Sequence, residues 1–117
     1  MSETNYKIVW APAAVNDLDD TLEYIAQRDC VDAAIAVYQK VIGQIESLTT
    51  HPQRCRIPHE LNKIGVSEYR ELVVRPYGVF FRVQNRNIAI VAILDRCRDM
   101  EELLLQRLIR NESEFFE

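Results

Sequence analysis

The chain is poor in the residues that most often build a reaction centre. Its three glycines, Gly43, Gly65 and Gly78, stand far apart, so no Gly-rich loop can cradle a phosphate. Its two histidines, His51 and His59, are eight residues apart, and neither HExxH nor CxxC occurs, which removes the common zinc patterns; no metal and no cofactor are expected. Both histidines read as surface residues. The three cysteines, Cys30, Cys55 and Cys97, are odd in number and widely spaced, so they form neither a disulfide framework nor a metal site. Three reduced thiols of a cytoplasmic protein are the expectation. No apolar run approaches the roughly 18 residues that would span a membrane. Met1–Asn5 lacks a basic segment followed by an apolar one, so no signal peptide and no membrane association are expected. Internal repeats and low-complexity segments are also missing.

What remains is an ordinary globular composition. The 117 residues suit one domain over 1–117, and 48% apolar with 27% charged residues can bury a core without disulfides. The formal charge of -4 conceals an uneven distribution. Residues 1–53 carry three basic and eight acidic side chains, residues 54–98 nine and four, and residues 99–117 two and six. A basic middle between acidic ends implies either a local surface for an anionic partner or internal neutralisation by the chain's own acidic helices.

Periodicity orders the elements. Tyr6–Trp10 is a short β-prone run, and Ala11-Pro12 suits a helix start. Ala14, Leu18, Leu22 and Ile25 then recur at helical spacing, with Asp17, Asp19, Asp20 and Glu23 on the remaining surface. Asp29–Asp32 breaks that helix, and Asp32 suits an N-cap for the next one. The second helix has the apolar face Ile35, Tyr38, Val41, Ile42, Ile45 and Leu48, ending at Thr49–Pro52. Gln53–Gly65 reads as a polar loop. Three β-runs follow, at about 67–74, 79–84 and 87–94, the last nearly all apolar and therefore expected to be buried on both faces. Met100–Arg110 reads as a helix with Leu104, Leu105, Leu108 and Ile109 apolar, and 111–117 as an acidic tail bearing Phe115 and Phe116. The fold class is α+β in the order β-αα-βββ-α: an antiparallel sheet covered by an N-terminal helical hairpin, with a C-terminal helix and tail at about 100–117.

Arginines gather on the β-hairpin and after the last strand: Arg70, Arg75, Arg82, Arg96 and Arg98. A planar, permanently charged fork suits phosphate or carboxylate recognition. Two readings stand side by side at this point. The set either meets an anionic target, or it pairs with Glu68, Glu71 and helix acids on a solvated sheet. Asp19-Asp20 are adjacent on a helix, face different ways, and cannot form a catalytic pair.

"YKIVWAPAAVNDLDDTLEYIA", "IESLTTHPQRCR", "YRELVVRPYGVFFRV" and "IAIVAILDRCRD" resemble, in this order, four blocks of the RelE/ParE superfamily of bacterial toxins from type II toxin–antitoxin systems. The likeness spans Tyr6 to Asp99 and implies the fold already reached from periodicity. The superfamily has two main activities: a RelE-like branch that cuts mRNA on the ribosome, and a ParE-like branch that inhibits DNA gyrase by protein–protein binding. Of the RelE-like functional positions, Arg70 and Arg98 match. Leu72 stands at a second basic position, Gly78 replaces the arginine after the hairpin tyrosine, and no tyrosine follows Tyr77 and no histidine lies in 95–117. Arginine, with a pKa above about 12, is a poor proton donor or acceptor. The resemblance therefore implies the ParE-like branch, acting without chemistry of its own. Arg70, Arg82, Arg96 and Arg98 would be target contacts. Were the chain a nuclease, Arg70 and Arg98 would be its catalytic residues, with ribosome and mRNA as partners. A third reading is a non-toxic member that only binds antitoxin. The cognate antitoxin would lie along the open sheet edge and the apolar helix face of Leu104, Leu105 and Leu108. The assembly would be a toxin–antitoxin hetero-oligomer or a homo-oligomer.

Overall fold

The computed structural model describes residues 5–96 and 99–116. Strand β1 (Lys7–Trp10) leads through Ala11 into helix α1 (Pro12–Arg28), which opens on a proline whose missing N–H would be unpaired there in any case. Helix α2 (Val31–Glu46) follows after a two-residue break. Its N-cap is Cys30, and Asp32 lies inside the first turn, not at the cap, where its charge still favours the helix dipole. A short 3-10 turn (Ser47–Thr49) closes the stretch expected to end this helix, and a second one (Pro52–Arg54) and a four-residue helix, α3 (His59–Asn62), fall in the stretch expected to be a loop. Strands β2 (Tyr69–Val74), β3 (Tyr77–Gln84) and β4 (Asn87–Asp95) come next, then helix α4 (Met100–Phe116).

The sheet order is β1-β4-β3-β2. β2, β3 and β4 form the expected antiparallel meander, joined by two-residue turns at Arg75-Pro76 and Asn85-Arg86. Asn85 adopts φ 58°, the left-handed conformation such a tight turn requires and asparagine tolerates. The sheet is nevertheless mixed, because β1 pairs parallel to β4, Lys7 opposite Asn87 to Trp10 opposite Ile90. The helical hairpin is the crossover that a parallel return needs.

Two cores result. On one face the hairpin packs Leu18, Val41 and Ile45 onto Leu72, Val79, Phe81, Ile88 and Ile90. On the other, α4 packs Met100, Leu104 and Leu108 onto Tyr69, Phe80, Val91 and Ala92, with Leu61 of α3 alongside. β4 is thus covered on both faces, as its unbroken apolar run requires. The C-terminal helix reaches Phe116, and the apolar side expected to await a partner already lies on the sheet. Leu104 and Leu108 are buried; Leu105 is half-buried.

One ion pair holds α4 there. Val91 is the extra residue of a β-bulge, since Phe80 pairs with Ala92 and Phe81 with Ile90. β1 stops opposite Ile90, and past that point Asp17 of α1 accepts the Ile93 N–H at 2.9 Å. Arg107 of α4 donates to both Asp17 oxygens, Nη2 to Oδ1 at 2.9 Å and Nη1 to Oδ2, and reaches the Val91 carbonyl at 3.5 Å. Asp17, read from sequence as part of a solvated face, thus ties α1, β4 and α4 together. Replacing Asp17 by Ala strands a largely buried guanidinium and a backbone N–H. It should cost about 2–3 kcal/mol in urea unfolding and speed amide exchange in α4 more than in α2. A loss below about 0.5 kcal/mol would show that the pair does not hold the helix.

Candidate functional site

The sheet surface around the β2–β3 hairpin is where the arginines were expected to converge. They do not. In β2, Arg70 shares a face with Leu72 and Val74, the hairpin side; in β3, Arg82 pairs with Tyr69 and lies on the α4 side. Arg70 donates to the Cys55 carbonyl at 2.5 Å and to that of Gln53 at 3.4 Å, pinning the 52–55 turn against the sheet. Arg82 stacks over the Tyr69 ring at 5.9 Å. Arg98, the remaining expected contact, lies outside the described residues, as does Cys97.

Arg96, just after β4, is bound on three sides. Its Nε lies 2.5 Å from Glu71 Oε2 and its Nη2 donates to Glu71 Oε1 at 3.0 Å. The same guanidinium meets both Glu60 oxygens, at 3.3 and 3.4 Å, and stacks on the Phe80 ring at 6.0 Å. Glu71 is 2% exposed, the one buried charged side chain among the described residues. Its Oε2 has no directed hydrogen bond and is held by charge alone. Arg56 adds a longer contact, 3.8 Å from Oε1.

Two carboxylates on one arginine fix the electrostatics. Burial pushes the Glu71 carboxyl above the usual range, partly offset by Arg96 and Arg56. Glu60 is also penalised by burial, yet its own backbone hydrogen bond and Arg96 bring it below that range. Burial acts against the Arg96 charge, and its two glutamates raise its pKa despite that. Arg96 is therefore a neutralised cation, with a carboxylate already in each place where a phosphate oxygen would sit.

Gly78 is the backbone counterpart of this cluster. A Cβ there would lie 2.5 Å from Glu71 Oε2 and 3.0 Å from the Phe80 ring. The missing side chain is what leaves room for the buried carboxylate. The sequence pointed to Gly78 only as a missing arginine; the alternation Tyr69, Glu71 on one face of β2 was the available sign that a glutamate turns inward there.

A cavity of about 670 Å³ opens between the ends of α1 and α2 and the β2–β3 turn. Tyr24, Val37, Val74, Pro76 and Tyr77 are among the residues that line it, and its rim charges, Asp20, Asp29 and Asp95 against Arg28, Lys40 and Arg75, balance. Burial, with Asp95 nearby, raises the Tyr77 hydroxyl pKa. No group of three metal-ligating side chains occurs among the described residues.

Residues 8–100 match the family model described as the ParE toxin of the type II toxin–antitoxin system parDE. The chain belongs to the ParE toxin family. Among solved structures, the chromosomal ParDE toxin–antitoxin system from P. aeruginosa resembles this ParE chain with a TM-score of 0.66 at 22% identity, over 77% of this chain and 95% of that one. The toxin–antitoxin complex RelBE2 from Mycobacterium tuberculosis resembles it with a TM-score of 0.52 at 16% identity, over 79% and 99%. A search among curated proteins returns no match. These likenesses are of fold. All of α4 after Met100 lies beyond the stretch matched to the ParE family.

Two outcomes test the site. Gly78→Ala should destabilise this ParE by about 1–3 kcal/mol, because neither the paired carboxylate nor the packed ring can retreat freely; an unchanged urea midpoint would contradict the tight fit. The second concerns pH. A carboxyl whose folded pKa is raised favours the folded state most below its unfolded value, and that contribution falls as pH rises through the folded pKa. Stability of Glu71→Gln minus that of the parent should therefore increase as pH climbs from about 4.5. A difference that is flat or falls with pH would mean that Glu71 is not desolvated.

Proposed function

We propose that this chain is a toxin that inhibits DNA gyrase by binding it with protein surface, and that a cognate antitoxin neutralises it. The family membership supports a toxin of a type II system. The observation that favours binding over RNA chemistry is the state of Arg70, Arg82 and Arg96. Cleavage of mRNA needs uncompensated positive charge around the scissile phosphate, together with groups to take and give protons. Here Arg96 is matched by two carboxylates, Arg70 is occupied by backbone carbonyls on the opposite face, and Arg82 is placed over the Tyr69 ring. Helix α4 covers the centre of the face that carries Arg82 and Arg96.

The neighbouring ParDE and RelBE2 structures are toxin–antitoxin assemblies, which supports an antitoxin as the partner of this chain. β2 is one of the sheet's two edge strands; among the described residues Arg56 bridges it only at Glu71, and Val73 is exposed beyond. An extended partner segment could add a strand there. The apolar side of α4 is a poorer place for one, since Leu104 and Leu108 would first have to leave the sheet.

A pulse of expression in a bacterial host, followed by recovery of gyrase covalently trapped on cleaved DNA, tests the reading. Trapped complexes that disappear when the antitoxin encoded beside the toxin is co-expressed are the expected outcome. Growth arrest with ribosome-phased mRNA ends and no trapped gyrase would establish RNA cleavage instead.

A further inference from the structure

The two ends of the sheet differ in charge. At the β2–β3 turn the rim charges of the cavity balance. At the β3–β4 turn they do not. β1 begins there at Lys7, whose N–H donates to the Arg86 carbonyl at 2.7 Å, and the Tyr6 N–H ties the turn after α2 to the same end through the Thr49 carbonyl at 2.8 Å. Lys7, Arg54 and Arg86 are thus gathered around one edge, all exposed, with His51 beside Arg54. Glu46 and Glu68 flank this end. Among the described residues neither is paired with the three cations, and no other carboxylate is, whereas Arg56, Lys63, Arg96 and Arg107 each have one.

These side chains are held in place. The Arg86 guanidinium stacks over the Tyr6 ring at 5.6 Å, and the Tyr6 hydroxyl accepts from Gln53 Nε2 at 3.0 Å. Arg54 donates to the Ser47 and His51 carbonyls at 3.3 and 3.0 Å and to Ser47 Oγ at 2.7 Å, which fixes it at the end of α2 with its charge unpaired. The surroundings are polar. Gln84, Asn85 and Asn87 are exposed beside Arg86, and none of the large exposed hydrophobic residues falls within 5–11, 47–56 or 84–87. A protein interface draws its energy from an apolar centre, which this surface lacks. A phosphate backbone asks only for cations and hydrogen-bond donors, which it has.

We infer that this end of the sheet rests on the backbone of the duplex DNA that gyrase holds, with Lys7 and Arg86 as phosphate ligands and Arg54 beside them. The inference rests on the gyrase reading above and adds DNA to the contacts of the bound state. Three phosphate contacts release few counterions, so free nucleic acid would be held only at low salt. Gyrase that already carries the duplex raises its local concentration at this surface, and there the same contacts count.

The test measures affinity of the full-length chain for purified gyrase, alone and loaded with a duplex, over a range of salt. Lys7→Gln with Arg86→Gln replaces exposed residues and should keep the melting temperature. Affinity for gyrase–DNA should fall about tenfold, with the slope of log affinity against log salt shallower by about two, and affinity for gyrase alone should not change. Lys7→Gln by itself should reduce that slope by about one. Equal affinity of parent and double variant for gyrase–DNA would overturn the inference, and so would an equal loss with and without DNA, which would place the contact on gyrase protein. No binding of the parent chain to gyrase in either form would overturn the gyrase reading, and the DNA contact with it.

Discussion

A buried carboxylate needs a cation held in place, and the far end of the sheet is organised around that need. Glu71 sits inside the β2–β3 hairpin with Arg96 across it and Glu60 on the far side of the guanidinium. Breaking such a pair from one side leaves an uncompensated buried charge, at a cost of about 3–5 kcal/mol. The cluster joins β2, the exit of β4 and α3, at the border of the core that Leu61, Tyr69 and Val91 share. It also requires the empty space over Gly78 and the Phe80 ring beneath the guanidinium. The functional consequence comes from the same geometry: an arginine that serves as counterion for two glutamates is not available as a phosphate ligand.

The second constraint is the covering of the sheet on both faces. The hairpin covers one and α4 the other, so β4 is the centre of the molecule in the physical sense. α4 is attached mainly by Met100, Leu104 and Leu108 and by the Arg107–Asp17 pair, with Lys63 meeting Glu101 at 3.0 Å near its start. Among the described residues, the surfaces left uncovered include the outer side of the hairpin and the β2 edge. The first is apolar and acidic, the second a row of backbone groups.

Periodicity carried the order of elements, because each helix shows a 3.6-residue stripe and β4 shows an unbroken apolar run. Three features were hidden. The parallel pairing of β1 with β4 depends on contacts 80 residues apart in sequence, which local pattern does not record. Asp17 looks like its exposed neighbours Asp19 and Asp20, and its partner Arg107 is 90 residues away. The division of the arginines between faces, by contrast, was readable. Antiparallel partners across a turn with an even number of residues have opposite parity, so Arg70 and Arg82, both even, must face opposite ways. The ordered α3, which supplies Glu60, was missed because "HELN" is too short to show a period.

The most direct test of the central claim, that Arg70, Arg82 and Arg96 are committed inside the protein, is an anisotropy titration of a labelled single-stranded RNA with the purified chain and with Glu60→Gln/Glu71→Gln. The parent should show no binding below about 100 μM at physiological salt, and the double variant, with Arg96 released, should gain salt-dependent binding. Micromolar RNA binding by the parent, with a salt slope reporting several phosphate contacts and no change in the variant, would contradict the claim.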